Sequence, residues 1–493
     1  MYLLGLDIGS SSVKASLLDA KLSKCVATDF FPKQEMDITA HEIGWAEQDP
    51  QMWWVNLQKA IKHVMAEADV DKEQVKAIGI SYQMHGLVCI DKNLEPVRSS
   101  IIWCDSRAVA IGDKAFQEIG KDKCLSHLLN SPGNFTASKL AWVKENEPET
   151  YSKIDKIMLP GDYIAMKLTG EVCTTISGLS EGIFWDFKNQ CISEDILNAY
   201  GISKELLPNI ADTFSNQGVV LPEIAEEFGI SKDALVSYRA GDQPNNALSL
   251  NVLKPGEIAT TAGTSGVVYG VSDEVKFDPY SRVNSFAHVN HDNENTRLGI
   301  LLCINGTGIM NSWLHKHVAK GMSYPEMNDL ANTAPIGADG VSILPFGNGA
   351  ERVINNKEVG AKIANLNLNR HTDAHLLRAA QEGIAFSFYY GMEVMKEIGV
   401  KPDVIRAGHA NMFLSPLFRE TLANVSGAVI ELYDTDGSLG AARGAGYGVG
   451  HYSSLEEAFA GLEKIDTVRP DESAKEDTLK AYARWTEELE KNL

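Results

Sequence analysis

A turn of small residues joins two apolar runs at the start of the chain, and the same device returns in its second half. Residues 3–17 read LLGLDIGSSSVKASL, with Asp7 at the end of the first run, Gly9-Ser10-Ser11-Ser12 at the turn and a β-type run from Val13 to Leu18. Residues 256–271, GEIATTAGTSGVVYGV, place Gly263-Thr264-Ser265-Gly266 between two more such runs. Strand, tight turn and strand make a hairpin whose tip presents backbone N–H groups and hydroxyls, the donor set of a phosphate cradle. Asp7 is the unusual member. A carboxylate in an apolar strand is costly unless it meets a cation or donors, so it reads as a magnesium anchor. Two hairpins in one chain point to a duplicated architecture that grips one nucleotide between its halves. The nucleotide contacts so assigned are Gly9, Ser10, Ser11, Ser12 and Lys14 on the first hairpin, and Gly263, Thr264 and Ser265 on the second.

A chain of 493 residues exceeds one core, so two large domains are expected. The net charge of −21 argues against nucleic acid or an anionic membrane surface as partner, because no basic excess can replace counterions. ATP stays open, since a metal ion and N–H groups meet its charge locally. The N-terminus runs straight into a strand without a secretory pattern, and no apolar run approaches a membrane span. Seven scattered cysteines without CxxC spacing fit reduced thiols, and the expected location is the cytoplasm. A homodimer is admitted by the sequence.

Strands are expected at 2–8, 12–18 and 24–31, and a helix at 50–68 behind Asp49-Pro50 as cap and first-turn proline. Strand-like 75–83 and 87–91 flank a polar tip, Met84-His85-Gly86. Helices follow at 107–119, 138–146, 160–168 and 221–228. The character changes near 236–241, which sets the expected domains at 1–240 and 241–450, with an acidic helical arm at 451–493. The second half reads as a hairpin at 257–270, helices at 305–319 and 373–398, a strand at 402–408, and helices at 414–426 and 438–449. Two halves that each begin with a β-meander indicate α/β domains with mixed sheets flanked by helices. Without a low-complexity linker, a hinged active-site cleft between the halves is expected.

Several motifs fail on inspection. No GxxxxGK[ST] is present, so the nucleotide site is not of the Walker type. Gly444, Gly446 and Gly448 miss the dinucleotide spacing and read as close helix packing. Asp434-Thr-Asp436-Gly opens like a calcium loop, but its twelfth position is Ala445. Gly178-Leu-Ser180-Glu-Gly182 matches a nucleophile elbow, yet the β-like IFWDF follows where a helix is required. Ser11-Ser-Val-Lys14 lies across a hairpin rather than at a helix start. The segment with most chemical content is Arg239-Ala-Gly241-Asp242-Gln243. Asp242 has two readings, helix N-cap and general base; its place at the seam between the halves favours the base. Gln83, Met84 and His85, with Trp45, Glu47, Gln48, Trp103, Asp105 and Arg107 in similar strand-end or loop settings, supply amide, aromatic and charged groups of the kind that hold a polyol.

These residues resemble the FGGY carbohydrate kinases, over nearly the whole chain. DIGSSSVK (7–14), WAEQDPQMWW (45–54), QMHG (83–86), IIWCDSR (101–107), GNFTASKLAWVKENEPE (133–149), KIMLPGDYIAMKLTGE (156–171) and SGLSEGIFWDF (177–187) are similar to segments of that family, and TAGTSGVVYGV (261–271) is similar to its second phosphate hairpin. The resemblance implies two actin-like, ribonuclease-H-like domains closing over sugar and ATP. It also implies Mg²⁺ at Asp7 and Asp242, with Asp242 as base. Sugar contacts fall to Gln83, Met84, His85, Trp103, Asp105, Lys139 and Gln243, and further nucleotide contacts to Gly408, Ala410 and Asn411. The expected reaction is phosphorylation of the primary hydroxyl of a ketose such as D-xylulose. Three segments depart from the family pattern: Gln243 replaces an Asn, AGHANMFLS (407–415) keeps only Gly408 and Ala410 of the small residues, and GNGAERVINN (347–356) lacks Thr-Pro. Other ketoses or polyols (ribulose, fuculose, glycerol-like) stay open, as does a sugar sensor without turnover.

Overall fold

A computed structural model describes residues 1–493. Its contacts divide the chain into two units that interleave in sequence. The first holds Met1–Asn251, Phe286–Leu298 and Thr435–Leu462; the second holds Val252–Ser285, Gly299–Asp434 and Glu463–Leu493. Residues 435–462 thus join the N-terminal half, and Asp242 stays with the strand that precedes it.

The first sheet contains β1 (Tyr2–Ile8), β2 (Val13–Asp19), β3 (Lys24–Phe31), β4 (Val75–Tyr82) and β5 (Leu235–Gly241), in the order β5-β4-β1-β2-β3. Strands β1, β2 and β3 form the antiparallel meander, whereas β4 and β5 run parallel to β1. The second sheet contains β6 (Glu257–Ala262), β7 (Gly266–Ser272), β8 (Asn284–Ala287), β9 (Leu298–Ile304), β10 (Val404–Gly408), β11 (Val429–Tyr433) and β12 (Lys464–Val468), in the order β8-β9-β7-β6-β10-β11-β12. Hairpin β6–β7 is antiparallel, and β10 and β11 run parallel to β6. Each sheet therefore repeats one scheme, a hairpin whose first strand gains two parallel neighbours. The duplication expected from the two small-residue turns is present.

Strand β1 shows why the run LLGLDI folds this way. Successive side chains face opposite sides of a strand. Leu4, Leu6 and Ile8 enter a core with Trp53, Leu57 and Ile61 of the helix Pro50–Ala68. Leu3, Gly5 and Asp7 face the helix Gly437–Gly448 instead. A Cβ on Gly5 would stand 1.7 Å from the Ser438 carbonyl oxygen, and one on Gly79 of β4 1.9 Å from that of Ala441. Helix backbone lies directly on sheet backbone. The glycines of that helix serve the same contact, since a Cβ on Gly448 would meet the Ser237 carbonyl oxygen at 2.0 Å.

Two elements differ from expectation. The segment Val88–Ile90 pairs antiparallel with Lys156–Met158 rather than with β4, so Met84-His85-Gly86 is a passage out of the sheet and not a hairpin tip. The C-terminal arm contains β12 between its helices Leu455–Phe459 and Glu472–Glu490; β12 closes the sheet edge antiparallel to β11. A strand of five residues inside an acidic, helix-forming stretch carries too little periodicity to be read from sequence.

Replacing Gly5 by Ala is expected to cost about 3 kcal/mol, the upper range for overpacking, because only backbone can yield. Urea unfolding of the variant measures it; a loss under 1 kcal/mol would show that the helix shifts freely.

Candidate active site

In the first sheet, Ile8, Tyr82 and Gly241 stand in one row across three parallel strands. The residues that follow them, Gly9, Gln83 and Asp242, must therefore emerge side by side at the carboxyl ends, where open α/β sheets bind ligands. A cavity of about 480 Å³ lies there, lined by Asp7, the tip Gly9–Ser12, Lys14, Phe30, Gln83, Trp103 and Asp242.

The tip is held from behind. Gly9 N–H donates to the Ser12 carbonyl at 3.0 Å and Met36 N–H to that of Ser11 at 2.8 Å. Gln48 Nε2 donates to the Ser10 carbonyl at 2.7 Å. With three carbonyls engaged by protein donors, the tip turns its acceptors away from an incoming anion.

Asp242 is the first residue of the helix Asp242–Ser249. Gly241 occupies the cap position and no side-chain cap bond forms, so the Asp242 carboxylate is not spent as an N-cap. Burial pushes it up to about 7, the Asp7 carboxylate adds to the rise, and Gln243 pulls the other way. The Asp7 carboxyl is also raised, first by burial and further by Asp436, with the Ser81 hydroxyl and Lys14 opposing. Lys14 is tied to Asp436 by an ion pair. Asp436 in turn caps the helix Gly437–Gly448 through Leu439 N–H at 3.0 Å. Two crowded carboxylates with no free cation form a hard-oxygen donor set, and Asp7 and Asp242 fit a Mg²⁺ ion on that ground.

Gln83 is 3 % exposed, and neither its amide nitrogen nor its oxygen has a hydrogen-bond partner. Such a group costs stability until a ligand supplies the missing bonds. Trp103 forms the facing wall. The other residues assigned to sugar lie behind this surface. Met84 is buried against Gly241, where a Cβ would meet its Cγ at 2.5 Å. His85, at φ +62°, sends Nδ1–H to the Glu181 carbonyl at 2.9 Å and sets its ring on Phe135 and Phe286. Lys139 is fully buried, and Nζ donates to the carbonyls of His85 at 2.8 Å and Ile102 at 2.9 Å. Burial lowers its ammonium to about 7, and even a neutral amine satisfies both bonds. The Asp105 carboxylate accepts from Ala46 N–H at 2.6 Å and from Arg107 Nη2 at 2.7 Å, while Arg107 Nη1 reaches Glu47 at 2.6 Å. Asp105 is thus the clamp of the loop that carries Trp103. The false elbow serine is occupied as well: Ser180 Oγ donates to the Ser177 carbonyl and accepts from Ala287 N–H.

The second unit has a cavity of about 590 Å³ beside the β6–β7 tip, lined by Gly263, Thr264, Asn311, Lys316, Tyr324 and Asn411 among others. The first N–H groups of the helix Gly308–His317 donate to the carbonyls of Gly263 at 2.9 Å and Thr264 at 3.1 Å. Gly308 is required there, because a Cβ would meet the Gly263 oxygen at 2.3 Å. Lys316 gives this second cavity a cation of its own. Ser265, Gly408 and Ala410 are not among its lining residues.

Sequence reasoning passed over Asp436, Glu181, Lys316 and Tyr324 as site residues, and Gln48, expected to face a polyol, instead holds the tip through the Ser10 carbonyl. Asp436 had a usable signal, an Asp-Gly step before a helix on which the charge of Lys14 could close. The others touch the site only through contacts between distant segments.

Asp242→Asn tests the general-base role that the family resemblance implies: a fall in kcat of about two to four orders of magnitude, the range for a lost general base, is expected. A raised carboxyl favours the folded state only when protonated, so its cost is absent below the ordinary Asp value and grows as pH rises through about 7. The variant should therefore melt higher than the wild type at pH 8 and show no gain at pH 4; an equal gain at both would contradict the burial of this charge. Lys139→Met should raise the sugar KM several-fold with the ATP KM unchanged, by freeing the His85 and Ile102 carbonyls.

Residues 2–249 match the N-terminal domain of the FGGY family of carbohydrate kinases, and residues 258–449 match its C-terminal domain. The xylulose kinase of Haemophilus influenzae is 30% identical over 505 residues, covering 99% of each chain. Among solved structures, the ligand-bound xylulose kinase from Lactobacillus acidophilus superposes with a TM-score of 0.89 at 24% identity, covering 99% of this chain and 98% of that one. The gluconate kinase from the same organism gives 0.89 at 23% identity, covering 99% and 97%.

Proposed function

This chain belongs to the FGGY family of carbohydrate kinases, and from that premise we propose that it transfers the γ-phosphoryl group of ATP to the primary hydroxyl of a ketose, D-xylulose first, with Asp242 as general base. The observation that carries this reading is the row of strand ends that sets Asp242, the unpartnered Gln83 amide and the Gly9–Ser12 tip around one cavity.

The bond that forms joins the sugar oxygen to the γ-phosphorus, and the bond that breaks is that between the γ-phosphorus and the β,γ-bridging oxygen, which leaves with ADP. Asp242 takes the hydroxyl proton at its carboxylate. A carboxyl that burial raises to about 7 holds a proton more readily than an ordinary aspartate. The transition state is loose, so placement and charge matter more than base strength. The hairpin N–H groups and serine hydroxyls hold phosphate oxygens, and Gln83 and Trp103 fix the sugar. Mg²⁺, when bound at the Asp7 carboxylate, neutralises charge on the phosphates.

The electrostatics of the cavity favour a neutral sugar over an aldonate. Its walls carry Asp7 and Asp242, and its one cation, Lys14, is paired with Asp436. An added carboxylate would meet like charge, a cost of several kcal/mol. The curated relative named xylulose kinase supports the choice among ketoses.

A coupled assay of ADP release over D-xylulose, ribulose, fuculose, glycerol and gluconate tests the proposal. The highest kcat/KM is expected with D-xylulose, and gluconate about two orders of magnitude lower or worse. Faster turnover of gluconate would overturn the substrate class, and no sugar-dependent ADP at all would leave a binding module.

A further inference from the structure

Ser10 is the residue at which the sugar wall and the phosphate tip touch. Trp103 is 54% exposed, yet its indole N–H donates to Ser10 Oγ at 3.3 Å. The loop behind it is fixed by the Asp105–Arg107–Glu47 clamp. Ser10 is fixed from the other side through its carbonyl, which accepts from Gln48 Nε2. Gln48 is itself buried, and its Oε1 accepts from Trp53 Nε1 at 2.9 Å. The backbone of Ser10 is thus set by the core, while the direction of its hydroxyl is left to Trp103. A hydroxyl oxygen that accepts from an indole must point its own proton elsewhere, and accepting polarises it as a donor.

We propose that the Trp103–Ser10 contact couples the two substrates: a sugar that covers the exposed face of Trp103 locks the indole in place and turns the Ser10 hydroxyl toward a nucleotide phosphate. The inference rests on the ketose kinase reading above. At 3.3 Å and beside solvent the contact is at the long, weak end for a hydrogen bond. Sugar displaces water from the ring, lowers the local dielectric and strengthens it. Coupling of this kind is reciprocal, so nucleotide tightens sugar by the same factor as sugar tightens nucleotide.

Three variants test the contact: Trp103→Phe keeps the apolar face and removes the donor, Ser10→Ala removes the acceptor, and Ser10→Thr keeps the hydroxyl. Calorimetry measures the affinity of a non-hydrolysable ATP analogue with and without the best sugar of the ADP screen. In the wild type, sugar is expected to tighten the analogue roughly three- to tenfold, the scale of one hydrogen bond. The factor should fall close to one in Trp103→Phe, in Ser10→Ala and in the double variant alike, and return in Ser10→Thr. A factor that survives Trp103→Phe, losses that multiply in the double variant, or no factor in the wild type would each overturn the coupling. If ADP forms with sugar while the factor is absent, this inference alone fails; if no sugar elicits ADP, it falls with the kinase reading.

Discussion

The close approach of the helix Gly437–Gly448 to strands β1 and β4 is the constraint from which the first site takes its geometry. With no side chain at Gly5 or Gly79, backbone meets backbone, and the start of the helix is set against the end of β1. There, a Cβ on Gly437 would come within 2.8 Å of Asp7 Oδ2. The same helix start holds Asp436 on Lys14, and Asn245 donates from Nδ2 to the Gly437 carbonyl at 2.8 Å. Asn245 belongs to the helix that Asp242 begins, and its Oδ1 accepts from the Tyr238 hydroxyl of β5. Both carboxylates of the cavity are therefore referenced to one helix terminus. A change of a methyl group at Gly5 would move them together.

That geometry is held against an electrostatic cost. Burial raises both Asp7 and Asp242, Asp7 adds to the rise at Asp242 and Asp436 to that at Asp7, and the nearest cation is already paired. Gln83 adds an amide with no partner. Native proteins keep such groups at functional sites, where ligands complete the missing interactions. Magnesium, phosphate and sugar hydroxyls are the chemistry that would relieve each one. Nearby buried groups of the same unit show the contrast: Asp105 and Lys139 are fully bonded within the protein and act by holding loops.

Much of this was legible from local pattern. The run LLGLDIGSSSVK gives strand, turn and strand, and its two charges, Asp7 and Lys14, both line the cavity. Asp49-Pro50 marks the start of the helix Pro50–Ala68 to the residue. The glycines at 444, 446 and 448 read correctly as packing rather than as a dinucleotide loop. What escaped depends on partners far along the chain. Val88–Ile90 looks like the return strand of a hairpin until Lys156–Met158 supplies its neighbour. Asp105 and Lys139 look like sugar ligands because both lie in motif segments, and only the positions of Ala46, Arg107, His85 and Ile102 show where their hydrogen bonds go.

The same distinction separates reaction class from sugar identity. Phosphate is held by backbone N–H groups and small hydroxyls, and a turn of four residues suffices to present them, so the chemistry can be read from contiguous sequence. A sugar is held by side chains, and the candidates lining this cavity, Gln83, Trp103 and Asp242, come from three separate segments. Their spacing is set by the strand row and by the Asp105–Arg107–Glu47 clamp rather than by any one motif. Gln243 illustrates the point. Its replacement of the family Asn adds one methylene next to Asp242, and the consequence depends on what that longer amide faces. In this protein the residue opposes the rise that burial imposes on Asp242, first through its backbone N–H and then through its side-chain amide. A departure that looks like a change of sugar contact thus bears on the proton affinity of Asp242, and Gln83 and Trp103 are the cavity-lining groups that it leaves unchanged.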